Sequence, residues 1–250
     1  MKGKGGEPII QIQTPFGGGR THSLIVLYHT FKNPEIAKKY IPDIEPIKAK
    51  ITIIVGTAIT PENVDNKITG TLWGEIEKQL EGEIKTLNSP ISPGSEKLRA
   101  LLKKHETVLI LMDEVLAYVV KARGIKVGDI NLASQTIAFL QELTETVKSL
   151  SNTLLVITLP ASVLEYADEE VAEELLAKLQ KVVGKIEKIY TPVSGEEIYE
   201  VIRRRLFQRI DEEDVKNIVD EFIDYYEREG ILINKSQYRE KMIKSYPFHP

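Results

Sequence analysis

The sequence predicts an α/β fold, a parallel sheet layered by crossover helices and followed by a small all-helical lid. Three observations predict it. Short apolar runs alternate with helical patterns as far as Leu159. One run, Thr107 to Met112, is apolar at nearly every position, as a strand buried on both faces of a parallel sheet requires. From Glu169 onward the pattern is helical apart from a short strand candidate at Ile186 to Tyr190.

The elements follow in order. Ile9 to Gln13 is a β-prone run that ends in Thr14-Pro15-Phe16-Gly17-Gly18-Gly19; from Arg20 a helical pattern sets Leu24, Leu27, Tyr28 and Phe31 on one side. A second strand, Ile51 to Val55, closes on Gly56-Thr57. Trp73 to Leu80 is a helix with both end residues in the core, and a Pro/Gly/Ser loop from Asn88 to Ser95 leads to a helix over Ser95 to His105 with Leu98, Leu101 and Leu102 inward. The Thr107 to Met112 strand closes on Asp113-Glu114. Gln135 to Leu150 is an amphipathic helix, and Thr153 to Leu159 is a strand stopped by Pro160. Helices follow over Glu169 to Val183, Gly195 to Gln208, Glu212 to Glu229 and Ser236 to Ser245, with Phe222, Tyr225 and Tyr226 at a helix interface. Thr191 to Gly195 is the linker, since Pro and Gly interrupt the pattern and Ser194 can cap the next helix with Glu197 at its third position. The division expected is a core over residues 1–190 and a lid over 195–250, in a chain open to continuing into a longer protein.

Composition narrows the class. Thirty-three basic residues against 37 acidic give a formal net charge of -4, so nothing global marks a nucleic-acid or membrane-surface binder. The absence of cysteine removes disulfides, thiolate metal sites and cysteine nucleophiles together. No targeting segment is read at the N-terminus, and no apolar stretch reaches the roughly 18 residues of a membrane span. A cytoplasmic protein is expected.

Two segments carry chemistry. The phosphate-loop template asks for Gly, four free residues, then Gly, Lys and Ser or Thr. This chain offers Thr14, Pro15-Phe16-Gly17-Gly18, Gly19, Arg20 and Thr21, departing at Thr14 and Arg20. The loop sits where backbone N–H groups and a helix dipole converge on an anion, between a strand and a helix, and its glycines admit phosphate oxygens without a Cβ in the way. Thr21 would place its hydroxyl on a magnesium ion, and Arg20 would reach the terminal phosphates with a bulkier, forked guanidinium. The second segment is the strand ending in Asp113 and Glu114, about ninety residues after the loop. There Asp113 would hold magnesium and Glu114 would polarise a water for in-line attack on the γ-phosphate of ATP. Unliganded turn and solvated strand end are the bland readings of the two.

Other residues are weighed against quieter roles. Thr158 stands in an apolar strand where a sensor of the γ-phosphate or the water would stand, or a satisfied strand threonine. His22, next to Thr21, suits phosphate contact or packing. Arg203, Arg204, Arg205 and Arg209 follow one another on the first lid helix, where consecutive positions diverge by about 100° and only one or two can share a target. Arg204 is the candidate sensor or finger, and a solvated basic face is the alternative. The histidines show no metal-ligand spacing.

Several segments together resemble an uncharacterised family of large archaeal and bacterial P-loop ATPases of the AAA+ type: Thr14 to Leu24, Leu72-Trp73-Gly74-Glu75-Ile76, Leu109 to Tyr118, Gly195 to Phe207 and Tyr246 to Pro250. The family pattern has Lys at the position of Arg20. The resemblance implies a three-layer AAA+-like P-loop core with a helical lid, ATP and magnesium as cofactors, and a homo-oligomer or larger complex whose sites are completed by a neighbour's arginine. Several members resemble ATPases encoded beside DNA methyltransferases in anti-phage defence, which implies, by association alone, a partner that is DNA or a DNA-modifying complex. The expected function is magnesium-dependent ATP hydrolysis that drives conformational change in a partner. The alternative is a nucleotide-binding scaffold with little hydrolysis, because Arg20 stands for lysine. A nucleoside kinase of the same class lacks an acceptor-binding signature.

Overall fold

The computed structural model describes residues 6–14, 19–43, 45, 47–65, 67–160, 162–163, 168–183, 189–190, 197–231 and 234–249. Pro15, Phe16, Gly17, Gly18 and the linker expected over Thr191 to Gly195, Ser194 included, lie outside them. The chain divides into two compact units, Met1–Pro192 and Val193–Pro250.

The first unit opens with β1 (Ile9–Thr14), α1 (Arg20–Lys32), α2 (Pro34–Tyr40) and β2 (Lys50–Val55). A hairpin of β3 (Glu62–Val64) and β4 (Lys67–Thr69) precedes α3 (Leu72–Glu81) and α4 (Ser95–Leu102). Then come β5 (Val108–Asp113), α5 (Val115–Ala122), a second hairpin of β6 (Lys126–Val127) and β7 (Ile130–Asn131), and α6 (Leu132–Lys148). The unit finishes with β8 (Thr153–Pro160), α7 (Glu169–Val183) and β9 (Ile189–Tyr190). The second unit holds α8 (Glu197–Leu206), α9 (Glu212–Arg228) and α10 (Lys235–Ser245).

The main sheet is parallel throughout, in the order β2-β5-β8-β1-β9. Every residue of β5 is buried, which is why it reads as an unbroken apolar run. Its side chains still divide by alternation: Leu109 and Leu111 join Val156, Ile12 and Leu24 under α1, whereas Val108, Ile110 and Met112 join Leu155, Ile157 and Leu159 in the larger core with Trp73, Tyr118 and Phe139. The period of two then places Asp113 after Leu111, and Thr158 after Val156, on the α1 face. Because all strands run the same way, their C-terminal ends share one edge of the sheet, where open α/β sheets bind ligands.

The structure departs from expectation in local elements. The helix from Ser95 ends at Leu102, not His105, because Asn152 Nδ2 takes the carbonyls of Leu102 (3.2 Å) and His105 (2.7 Å). Helices α2 and α5 and both hairpins were not read from the sequence; α2 carries a start signal in its proline at the first turn. Of the aromatics on α9, Tyr226 packs against the helical core while Phe222 and Tyr225 are exposed, so the expected shared interface holds only one of the three. In that unit Val215, Val219, Ile223 and Met242 form the buried stripe. Among the described residues no helix is long and apolar enough to cross a membrane.

Candidate functional site

Asp113 is the centre of a hydrogen-bonded corner at the C-terminal edge of the sheet. It is only 5% exposed, and a carboxylate so buried needs partners for both oxygens. The Thr21 hydroxyl, on the first turn of α1, donates to Oδ2 at 2.7 Å. The Thr158 hydroxyl donates to Oδ1 at 2.5 Å, and the Glu114 amide donates to the same oxygen at 3.1 Å. Thr158 Oγ1 in turn accepts from the Glu114 amide at 3.3 Å, so the hydroxyl both gives and receives. Three residues from α1, β5 and β8, which the alternation puts on one face, thus meet at one carboxylate.

Glu114 is the next residue, and the chain turns sharply there. Its φ of 52° and ψ of 38° lie in the left-handed region, a conformation that costs a non-glycine residue about 1–2 kcal/mol and that persists where surrounding structure enforces it. The turn swings the exposed carboxylate toward β2, where the Thr57 hydroxyl donates to Oε2 at 2.5 Å. The approach of the two strand ends is close. The Gly56 amide donates to the Asp113 carbonyl at 2.8 Å, and a Cβ on Gly56 would stand 2.0 Å from the Glu114 carbonyl oxygen. Only glycine fits there. Lys121, two turns along α5, extends its Nζ to the carbonyls of Gly56 (3.1 Å), Thr57 (2.7 Å) and Ile59 (3.2 Å), tying the segment that carries Thr57 to the helix that starts at Glu114.

The start of α1 completes the corner. Gly19 is its N-cap, with φ at 78°, no side chain caps the helix, and no acidic residue stands in the first turn. Arg20 is half-buried at the first helical position, and His22 is exposed one residue after Thr21. Thr14 ends β1 in register with Pro160, two residues beyond Thr158, at the same edge of the sheet as the Asp113 corner. Pro15 to Gly18 themselves, and the side chain of Arg204, lie outside the described residues. No cluster of three or more His, Cys, Asp or Glu side chains with metal-binding proximity occurs among the described residues.

A model of the DUF499 N-terminal domain matches residues 1–48 and 35–198, and one of the DUF499 second domain matches residues 194–250. The chain belongs to the DUF499 family. No curated protein matches it. The junction of the two DUF499 domains falls beside the boundary between the two compact units at Pro192 and Val193. The DUF499 description names no activity, so the chemistry of the corner is argued from its geometry. That geometry gathers Thr21, Asp113, Glu114 and Thr158, all legible as candidates in the sequence, and adds Gly56, Thr57 and Lys121, which were not. The signal for Thr57 was its place just beyond a strand that ends level with Asp113: Val55 is the register partner of Asp113.

Proposed function

We propose that this DUF499 chain is a magnesium-dependent ATPase module of the P-loop, AAA+-like type, whose turnover drives conformational change in a partner. The observation that carries the proposal is the 2.7 Å hydrogen bond between Thr21 and Asp113, 92 positions apart in sequence, at the point where an uncapped helix start faces the end of a buried strand. The pair offers two hard oxygen ligands. That suits magnesium, which takes few protein ligands and fills its remaining positions with phosphate and water. When bound with the nucleotide, the ion neutralises charge on the β- and γ-phosphates.

The chain's own groups account for the rest. The amides at the start of α1 would donate to bound phosphates, and Arg20 would add positive charge beside them. Glu114, fixed by the Asp113 and Thr158 hydrogen bonds to its amide and by Thr57 at its carboxylate, accepts a proton from water as the water oxygen bonds to the γ-phosphorus and the bond to ADP breaks. Thr158, joined to both carboxylate residues, holds their relative position. Self-assembly and a DNA or DNA-modifying partner belong to this reading through the family resemblance alone.

Titration calorimetry is the test: magnesium-dependent ATP binding is expected, and its absence overturns the proposal. Glu114→Gln should bind within a few-fold of the parent and lose about 10² to 10⁴ in hydrolysis. Arg20 supports a second reading, a scaffold that holds ATP and hydrolyses little, since guanidinium and ammonium differ at a tightly wrapped phosphate. Negligible turnover in both the parent chain and Arg20→Lys, with binding intact, selects the scaffold.

A further inference from the structure

The helical unit carries a second candidate site that the ATPase reading does not use. Over residues 193–250 the chain has thirteen Asp and Glu against ten Lys and Arg. In so acidic a unit cations readily find carboxylates: Arg239 holds Asp220 with two of its nitrogens, and Lys235 bridges Asp224 and Glu227. Arg203, Arg209 and Lys216 are different. They line one cavity of about 390 Å³, and none of the three makes an ion pair among the described residues. Lys244, which pairs with Glu240, is at the same cavity, and Glu212 is its one acidic lining residue.

Four cationic side chains around a single carboxylate repel one another, and an external anion relieves that repulsion. The rest of the lining says which kind. Phe207, an exposed residue, stands at the cavity, and Val215 and Ile243 give it an apolar wall. Cationic groups around an accessible aromatic ring match a nucleotide unit, phosphate on the guanidinium and ammonium groups and base against the ring. A cavity of this size lies at the small end of the range for small-molecule sites.

We propose that the Arg203–Arg209–Lys216 cleft of the helical unit binds a nucleotide unit of a single nucleic-acid strand or a free mononucleotide, through its phosphate and its base. All the cleft residues named belong to the helical unit, and the proposal does not depend on hydrolysis at the Asp113 corner.

The test is fluorescence anisotropy of a labelled twenty-residue oligothymidylate on the full chain with no free nucleotide added, so that nothing competes for the cleft and the cleft variants locate the binding. Saturable binding that weakens as salt rises is expected. The double variant Arg209→Glu, Lys216→Glu should lose at least tenfold in affinity and flatten the logarithmic salt dependence by about 1.4, at roughly 0.7 per phosphate contact on a single strand. Phe207→Ala should lose about fivefold or more through the lost stack while leaving the salt slope unchanged. Both changes are at exposed positions, and circular dichroism checks that each variant folds; the Phe207→Ala arm stands by itself if the charge reversal does not. Thymidine monophosphate that competes as well per phosphate as the strand identifies the free nucleotide as the ligand, and failure to compete identifies the strand. The proposal is overturned if the strand does not bind, if neither variant weakens it, or if polyglutamate of equal charge displaces it as effectively, since a protein-like polyanion would then be the better fit.

Discussion

Helices α9 and α1 begin in opposite ways. Both leave backbone N–H groups at their first turn without partners in the helix, and both present the positive end of a dipole worth about half a charge. Helix α9 answers from within: the Asp211 carboxylate accepts from the amides of Glu213 (2.9 Å) and Asp214 (3.4 Å), and Glu212, Glu213 and Asp214 add negative charge to the same turn. Helix α1 begins on a glycine with no side-chain acceptor and no acid, and the hydroxyls of its first turn are turned away, Thr21 onto Asp113 and Ser23 onto the Gly19 carbonyl. One helix start is capped by its own side chains and the other is not, which on the proposed reading leaves room at α1 for a bound phosphate.

The strongest way to break this contrast is to give α1 the cap that α9 has. Gly19→Asp puts a carboxylate where the phosphates are expected, at a backbone φ of 78° that aspartate tolerates with strain. Affinity for magnesium and ATP should fall roughly a thousandfold, about 4 kcal/mol, in calorimetry. The mirror change, Asp211→Gly, should leave that affinity untouched. Equal affinity in Gly19→Asp and the parent chain would remove the distinction between the two helix starts.

Next in size is the strand end that α1 faces. In Gly56→Ala the new methyl meets the Glu114 carbonyl oxygen, backbone against side chain, and no rotamer relieves a 2.0 Å contact. The change should destabilise the first unit by about 3 kcal/mol, lowering its melting temperature by roughly 6–12 °C. Hydrolysis should fall with it as Glu114 is displaced. Melting and turnover close to those of the parent would show that Glu114 does not need its present backbone position.

These two positions also mark how far the sequence could be read. The parallel strands were legible because burial on both faces writes a continuous apolar run, as in Val108 to Met112, and Asp113 stood out as the charge that ends it. Thr21 and Thr158 were legible by place in a pattern. Gly56 and Thr57 were not, because their meaning lies in the register that sets Val55 beside Asp113, a relation between segments more than fifty residues apart. The hairpins β3–β4 and β6–β7 pair only two or three residues per strand, too few for a periodicity to form. Helix α2 is short and mostly exposed, with only Pro34 buried. A motif therefore revealed residues whose neighbours are in sequence, whereas residues that act across the sheet emerged only with the fold.

Glu77 is a second case of amides satisfied from within, and it sharpens the contrast by responding to pH. It is 1% exposed on α3, and it accepts from the Thr86 hydroxyl at 2.6 Å and from the amides of Lys85, Thr86 and Leu87 at 2.8 to 3.0 Å. Burial pushes its carboxyl up, but the hydrogen bonds from Thr86, Leu87 and Lys85 together outweigh burial and hold it below the ordinary value of 4.5. A lowered folded value means that the stabilisation is complete above about pH 4.5 and is lost as pH falls through the folded value. Glu77→Gln should therefore cost about 2 kcal/mol near neutrality. Denaturant titrations should show that gap closing in acid, and a gap of constant size from pH 7 to pH 3 would mean that the charge does not anchor the 85–87 segment.

The smallest expected effect is the removal of α9's own cap. Asp211→Ala leaves the amides of Glu213 and Asp214 to water, at a cost of about 1 kcal/mol. In a unit of this size that lowers the melting temperature by roughly 4–8 °C, and nucleotide affinity should not move. The cost stays this small because the first turn retains three acidic residues that still complement the dipole. A helix start with its own acids can lose its cap and keep most of its compensation; α1 has no acid in its first turn, and on the proposed reading a bound phosphate would supply that charge. A loss of ATP affinity in Asp211→Ala would show that the two starts act on one ligand, and the assignment of α9's acids to internal capping would then fail.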